Sequence, residues 1–206
     1  MYPYMVKAPR LWRASFYATD GRAQARMITA TTWPIASRGA KALVRQHPAD
    51  LIVTVHPFAN TFALRALGKD RPPFINVVTD MVTTHALWFD KRADLILVPT
   101  KQARDNAIRF NMPPEKVRVV GLPVADKYCK PLGRKSTLRK KLGWTLDKPI
   151  VLLVGGGEGM GPLAKTARAI DASGLDVGLG VVCGRNQRLK ATLEAYKWEN
   201  PAFIYG

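Results

Sequence analysis

Short apolar runs alternate with longer amphipathic stretches along most of the chain. In the first part of the sequence, four such runs are rich in leucine, isoleucine and valine, and a proline or glycine bounds each of them. Runs of this kind are typical of short buried strands. The predicted strands cover residues 51–56, 74–79, 95–98 and 117–120.

Helical patterns fill the gaps between these strands. The first helix is predicted over residues 33–46, with Thr32 as its N-cap and Pro34 in its first turn. A second is predicted over 60–67, and a third starts after Thr100 and stops near residue 111. This alternation favours βαβ units, which build a parallel sheet that is covered on both faces.

The stretch 125–148 interrupts the alternation. It is rich in lysine and arginine and contains no strand-like run, which indicates a linker with a short basic helix over 136–142 that ends at Gly143. The alternation then restarts, and we expect the second sheet to be incomplete because its third strand lies in the last residues. The predicted strands are 150–154, 178–183 and 202–205, and the predicted helices start at Pro162 and cover 187–196.

Composition narrows the function classes. The chain has 206 residues and a formal net charge of +17, from 32 Lys and Arg against 15 Asp and Glu. Two cysteines without a C-x-x-C pair exclude a disulfide scaffold, a zinc ribbon and a dithiol redox motif. The longest apolar runs have the length of strands, and residues 1–17 lack the apolar segment of a signal peptide. These features predict a soluble or peripheral protein with an anionic partner.

A glycine-rich segment, residues 155–162 with the sequence GGGEGMGP, lies between a predicted strand and a predicted helix. Converging backbone amides and the positive end of a helix dipole suit a phosphate. The segment fits a dinucleotide fingerprint only loosely, because no acidic residue follows the next strand, and Ala164 stands where a Walker A loop requires glycine. Phosphate binding and a merely tight turn both remain open at this point.

A second chemical cluster follows the predicted strand 74–79, at the edge of the sheet where ligands bind in open α/β folds. Asp80, His85, Trp88 and Phe89 can supply a base, a hydrogen bond and an apolar platform, and His56 ends the preceding strand. The alternative is that the two aromatic rings belong to the core and Asp80 caps a helix. The sequence contains no Asp-x-Asp motif, so no acidic metal-binding pair is predicted.

These segments together resemble one protein family. Their order resembles that of the diacylglycerol glycosyltransferases, and the glycine-rich segment with VCGRN at 182–186 is most similar to the monogalactosyldiacylglycerol synthases. Both groups are related to the peptidoglycan-precursor N-acetylglucosaminyltransferase. The matching segments in the first part are VVTD at 77–80, HALWF at 85–89, VPT at 98–100, PPEKV at 113–117 and GLPV at 121–124.

The resemblance implies a GT-B architecture of two Rossmann-like parallel-sheet domains, both expected to be truncated. Residues 1–124 would be the C-terminal part of the lipid-binding domain, 125–148 the basic linker, and 149–206 the first part of the nucleotide-sugar domain. Family members move a hexose from a UDP-sugar to diacylglycerol with inversion, without a metal or another cofactor, and galactose is the favoured sugar. The family's N-terminal glycine loop with a histidine has no match here, so the chain is expected to be a fragment.

The resemblance also assigns roles to residues. Asp80 and His85 are the candidate catalytic residues, and His56, Trp88 and Phe89 are placed on the acceptor side. The expected partners are the UDP-sugar, diacylglycerol and anionic lipids on the cytoplasmic side of a membrane, with no nucleic acid. The residues that the resemblance assigns to donor binding are Gly155, Gly156, Gly157, Gly159, Met160, Gly161, Arg185 and Asn186.

Two other functions stay open from the sequence. The loose dinucleotide fingerprint allows an NADP-dependent oxidoreductase, with Arg185 on the 2′-phosphate. The net charge allows a non-enzymatic protein that binds nucleic acid or lipid headgroups. Aromatic and basic residues within 2–17 indicate an interfacial membrane contact, and a core helix is the alternative for that segment.

Overall fold

The computed structural model describes residues 9–206, and it divides the chain into two compact units. The first unit ends at Asp126 and the second runs from Lys127 to Gly206. Each unit is an α/β structure with its own parallel sheet, as the sequence predicts. Across residues 9–206, no helix combines the length and the apolar character that crossing a membrane requires.

The sheet of the first unit has four parallel strands in the order in which they occur in the chain. Two 3₁₀ helices, Ala86–Trp88 and Pro114–Lys116, precede β3 and β4. The strands are β1 (Ile52–Thr54), β2 (Phe74–Val77), β3 (Leu95–Val98) and β4 (Val117–Val119), and the helices are α1 (Pro9–Thr19), α2 (Arg22–Gln46), α3 (Pro57–Leu67) and α4 (Lys101–Arg109).

The core of this unit is apolar, and a buried polar network lies beside it. The carbonyl of Trp88 accepts hydrogen bonds from the side-chain amides of Asn60, at 3.0 Å, and Asn76. The Thr54 hydroxyl donates to Asn60 in turn. Because buried amides are costly when unpaired, these bonds tie α3 and β2 to the segment that carries Trp88. The most deeply buried apolar side chains include Leu64, Phe74, Val78, Trp88, Ile96 and Val98.

The prediction for the first long helix is wrong at its start. Thr32 and Pro34 lie inside α2, which begins at Arg22. Proline lacks the amide that would donate one helical hydrogen bond, which is why the pattern suggested a helix start. The Thr32 hydroxyl donates to the carbonyl of Ile28 in the preceding turn, and the Trp33 ring stacks on Phe62 of α3 with centroids 6.3 Å apart. Packing against α3 therefore supports a helix that continues through its proline.

The second unit has three parallel strands in chain order, β5 (Ile150–Val154), β6 (Gly178–Val182) and β7 (Ala202–Tyr205). Its helices are α5 (Lys135–Leu142), α6 (Leu163–Asp171) and α7 (Gln187–Glu194). Gly143 ends α5 in the left-handed region, as predicted. The buried carboxylate of Asp171 accepts the amides of Glu199 and Asn200, which holds the end of α6 to the chain entering β7.

Candidate functional site

Two predicted site residues lie where strands of the first sheet end. His56 follows β1 and caps α3, since its Nδ1 accepts the Phe58 amide at 3.3 Å, and its side chain is exposed. Asp80 follows β2 and is partly exposed. Because β1 and β2 are paired and parallel, both residues lie at the carboxyl edge of the sheet, the usual ligand edge of an open α/β fold.

Trp88 holds Asp80 in place. The indole Nε1 donates to Asp80 Oδ2 at 2.7 Å, and the Trp88 side chain is only 2% exposed. No other hydrogen bond to the Asp80 carboxylate occurs within residues 9–206. Trp88 therefore acts on the carboxyl edge through Asp80, which keeps one oxygen for a further partner.

The structure places the rings of Trp88 and Phe89 in the core, the alternative that the sequence also allowed. Phe89 packs against the core cluster, and its ring centroid lies 5.7 Å from that of Phe110. Burial of apolar surface lowers the free energy of the folded protein, and large aromatic rings contribute most to this, which explains their placement. Direct contact between these two rings and an acceptor stays a prediction.

His85 is 8% exposed, and both of its ring nitrogens are occupied. Nδ1 accepts the Leu87 amide at 3.1 Å, so the proton of the neutral ring is assigned to Nε2. Nε2 lies 3.1 Å from the Thr19 hydroxyl, which itself donates to the Ser15 carbonyl at 2.6 Å and so accepts from the ring. In this arrangement His85 has no lone pair for a substrate proton, whereas Asp80 has one.

We expect the stability of the first unit to fall as the pH drops below about 6.5, the ordinary pKa of histidine. Burial lowers the pKa of His85. This effect outweighs the charge of Asp20, a hydrogen bond to the backbone carbonyl of Phe16 and the charge of Asp80, which all raise the pKa. The unfolded chain therefore binds this proton more readily than the folded chain, and the loss reaches at most about 1.4 kcal/mol per pH unit.

Urea unfolding at a series of pH values measures this dependence. The variant His85→Gln should flatten the curve below about pH 6.5, while His47→Gln, at an exposed histidine, should leave it as it is. A curve that His85→Gln does not alter would show that His85 is not the group responsible.

In the second unit, the loop of residues 155–161 connects β5 to α6 and folds on itself. The amide of Gly155 donates to Val182 at 3.2 Å, and the amide of Met160 donates back to the Gly155 carbonyl at 2.7 Å. Gly156, Gly159 and Gly161 have φ values of +66°, +58° and +86°, which favour glycine. The glycines are therefore needed for the path of this loop.

Gly159 is the most constrained of these glycines. A Cβ at this position would lie 2.1 Å from the Cys183 carbonyl oxygen and 2.8 Å from the Asn186 Cβ. The Asn186 side chain also accepts the Leu189 amide at 3.0 Å, which caps α7. The loop is thus packed directly against the turn between β6 and α7.

Burial raises the pKa of the Cys183 thiol, which keeps it protonated.

Arg185, in that turn, reaches the glycine loop. Its backbone amide donates to Gly157 at 2.8 Å, and its guanidinium forms an ion pair with Glu158, with Nε 3.0 Å from Oε1. The hydrogen bond and the charge of Glu158 raise the pKa of Arg185. The predicted donor residues from 155–161, Arg185 and Asn186 therefore lie together. Met160 is 44% exposed in this group, whereas Gly159 is buried.

Sequence reasoning did not single out Glu158, Asn60 or Thr19. Each acts through a residue that is distant in the chain, so no local pattern marks it. Glu158 lies within the glycine-rich segment 155–162. Its charge, opposite to that of Arg185, was the one feature of the sequence that could have indicated their ion pair. Within residues 9–206 no group of three potential metal ligands occurs.

The chain is similar in sequence to one family of known proteins. The family model described as monogalactosyldiacylglycerol (MGDG) synthase matches residues 1–124, more than half of the chain. The chain belongs to the monogalactosyldiacylglycerol synthase family. The resemblance stated from the sequence motifs is thereby confirmed.

Curated relatives match over the whole chain. A probable monogalactosyldiacylglycerol synthase 2 of Oryza sativa subsp. japonica is 35% identical over 217 residues, covering 100% of this chain and 46% of the relative. The enzyme of Spinacia oleracea is 36% identical, and monogalactosyldiacylglycerol synthase 1 of Arabidopsis thaliana is 34% identical. Both matches cover the whole of this chain, and 41% and 40% of those two relatives. The chain therefore spans less than half the length of these relatives.

Proposed function

We propose that the chain is part of a galactosyltransferase that moves galactose from UDP-galactose to the free hydroxyl of diacylglycerol, with inversion and without a metal. The observation that carries this proposal is the family match. It is supported by relatives named monogalactosyldiacylglycerol synthase, whose sequences match the full length of this chain. Two features support it further: the carboxyl edge of the first sheet, which carries Asp80 and His56, and the glycine loop with Arg185.

The glycine loop is the proposed donor site. Among the described residues, the amides of Gly156, Gly157 and Glu158 donate to no protein acceptor. With the first turn of α6 and the Arg185 guanidinium, they offer donors and positive charge to a diphosphate. As the bond to the sugar breaks, the departing UDP gains negative charge, which preorganised donors stabilise without a metal ion. The diphosphate would replace Glu158 as the partner of Arg185.

Asp80 is the proposed general base. The diacylglycerol hydroxyl attacks the anomeric carbon from the side opposite to UDP, and it must lose its proton as the new bond forms. A carboxylate held by the Trp88 indole has one fixed oxygen and one available oxygen. His56, exposed at the neighbouring strand end, is the proposed acceptor contact. His85 supports this edge from inside and does not take the proton in its present arrangement.

The basic stretch 125–148 is the proposed membrane contact. It carries eight lysines and arginines against two aspartates, and most of its side chains are exposed. Each cation close to an anionic surface contributes about 1 kcal/mol to binding. This favours peripheral attachment to anionic lipids, which we propose occurs on the cytoplasmic side of the membrane.

A transfer assay tests the proposal. The chain is mixed with UDP-galactose that is labelled in the sugar and with vesicles of phosphatidylglycerol and diacylglycerol, and labelled galactolipid is measured. We expect product from the unchanged chain, and a rate at least about 100-fold lower for Asp80→Asn, because removal of a general base costs that much. Asp105→Asn, at an exposed acid on α4, is the matched control and should keep its rate. Full activity of Asp80→Asn would contradict the role of Asp80 as the base, and the absence of labelled galactolipid would show that this chain does not carry out the transfer by itself.

A further inference from the structure

Glu158 and Arg185 form an ion pair at the surface of the second unit, on the glycine loop. Oε1 of Glu158 accepts hydrogen bonds from Nε of Arg185, at 3.0 Å, and from one of its terminal guanidinium nitrogens. The side chain of Glu158 is 41% exposed and that of Arg185 is 76% exposed. Because water screens the attraction between charges that are this exposed, such an ion pair contributes little to the stability of the fold. The pair is therefore easy to open.

The backbone that carries the pair is held firmly. Gly184 directly precedes Arg185 and has a φ of +57°. A Cβ at Gly184 would lie 2.5 Å from the carbonyl oxygens of both Gly156 and Gly157, so the two backbones are in close contact. On the other side of the pair, Gly159 contacts the same turn between β6 and α7. Opening the pair therefore requires rotation of two side chains and no displacement of the loop.

The guanidinium of Arg185 lies over the loop that we assign to the diphosphate, since a Cβ at Gly157 would lie 3.6 Å from one of its terminal nitrogens. Arginine binds a phosphate most strongly through two parallel N–H groups. Nε and one terminal nitrogen of Arg185 already donate to Glu158. A phosphate that uses these two donors must displace the carboxylate, which also repels it. Glu158 and the diphosphate therefore compete for the same side of one guanidinium.

Glu158 stays near Arg185 after it is displaced, because it belongs to the loop itself. A tethered group has a high effective concentration, so the ion pair forms again as soon as the guanidinium is released. This matters for the product of the proposed reaction. UDP leaves with more negative charge on its diphosphate than the UDP-sugar carried, so Arg185 holds the product more tightly than the substrate.

We propose that Glu158 is a built-in competitor of the diphosphate for Arg185, which weakens the binding of UDP and speeds its release. In the empty site, the carboxylate neutralises Arg185. The UDP-sugar displaces it on binding, and it returns to Arg185 when UDP leaves. This inference rests on the proposed function, because it requires the loop 155–161 to hold the diphosphate of the donor.

Calorimetric titration of the whole chain with UDP, at physiological ionic strength so that distant charges are screened, tests the competition. Glu158→Gln keeps the shape of the side chain and removes its charge, so it should bind UDP at least about threefold more tightly. Dissociation of UDP, followed by stopped-flow displacement, should slow by a similar factor. Glu194→Gln is the matched control, because it removes the same charge from another ion pair of this unit, with Lys190, and it should bind UDP as the unchanged chain does.

A double-mutant cycle separates competition from simple repulsion. If Glu158 acts through Arg185, Glu158→Gln should give no gain in affinity in a chain that already carries Arg185→Gln. A gain of the same size in that background would overturn the inference, because the charge of Glu158 would then repel UDP independently of Arg185. Equal or weaker binding of UDP by the single variant Glu158→Gln would overturn it as well.

Failure of the proposed donor site gives a different result. If the loop is not that site, either no variant binds UDP, or neither Arg185→Gln nor Glu158→Gln alters its affinity. If the loop is that site but Glu158 does not compete, Arg185→Gln weakens UDP binding and Glu158→Gln leaves it unchanged. Both results overturn the inference, and only the first also overturns the donor site. Thermal unfolding of each variant verifies that it is folded.

Discussion

Replacing Gly159 with alanine is expected to destabilise the second unit by about 2 to 5 kcal/mol and to abolish binding of a diphosphate at the glycine loop. The new Cβ would lie 2.1 Å from the Cys183 carbonyl oxygen, and φ at this position is +58°. The substitution therefore combines backbone strain with a clash against the turn between β6 and α7, and the loop must move to relieve either. Urea unfolding followed by circular dichroism measures the loss of stability.

Gly156→Ala is the matched control. Gly156 has a similar φ of +66°, but a Cβ there would meet no atom within 4 Å. The expected loss of stability then comes from backbone strain alone, about 1 to 2 kcal/mol. Equal costs for the two substitutions would show that Gly159 is not packed against the turn between β6 and α7.

Replacing Trp88 with alanine is expected to cost about 3 to 5 kcal/mol of stability in the first unit, because it empties a site that is 2% exposed. Trp88→Phe keeps most of the apolar volume and removes the Nε1 donor, so its expected cost is about 1 to 3 kcal/mol. Trp33→Ala, at a half-buried ring on α2, is the control and should cost less than Trp88→Ala.

The role of Trp88 in holding Asp80 has its own test. Combining Trp88→Phe with Asp80→Ala, which removes the acceptor, gives a double-mutant cycle, and residues in direct contact show a coupling energy of about 0.5 to 3 kcal/mol. A coupling energy of zero would mean that the 2.7 Å hydrogen bond between Nε1 and Oδ2 does not hold Asp80.

Local patterns in the sequence were sufficient to predict several strands of the fold with their bounds. Apolar runs bounded by proline or glycine predicted the strands 95–98, 150–154 and 202–205 with the bounds that the structure shows. β1 ends at Thr54, earlier than the predicted 51–56, because His56 already caps α3. These features depend on residues that are close in the chain, where periodicity and breaker residues carry most of the information.

Features that depend on distant residues were not predictable. The start of α2 was placed too late because Pro34 resembled a helix start, whereas packing of Trp33 on Phe62 keeps the helix continuous. The sequence placed His85 beside Asp80 but could not show that Thr19, 66 residues away, contacts its ring. A sequence pattern names the chemistry of a side chain, and only the fold shows whether its atoms are already engaged.

The most direct test of the account is amide hydrogen exchange of the chain with and without UDP. If the loop 155–161 binds the diphosphate of the donor, as proposed, UDP should slow exchange at Gly156, Gly157 and the first turn of α6. Arg185→Gln should weaken UDP binding at least about tenfold, while Arg188→Gln, at an exposed residue of α7, should not. Saturating UDP that leaves exchange in residues 155–161 unchanged would contradict the claim.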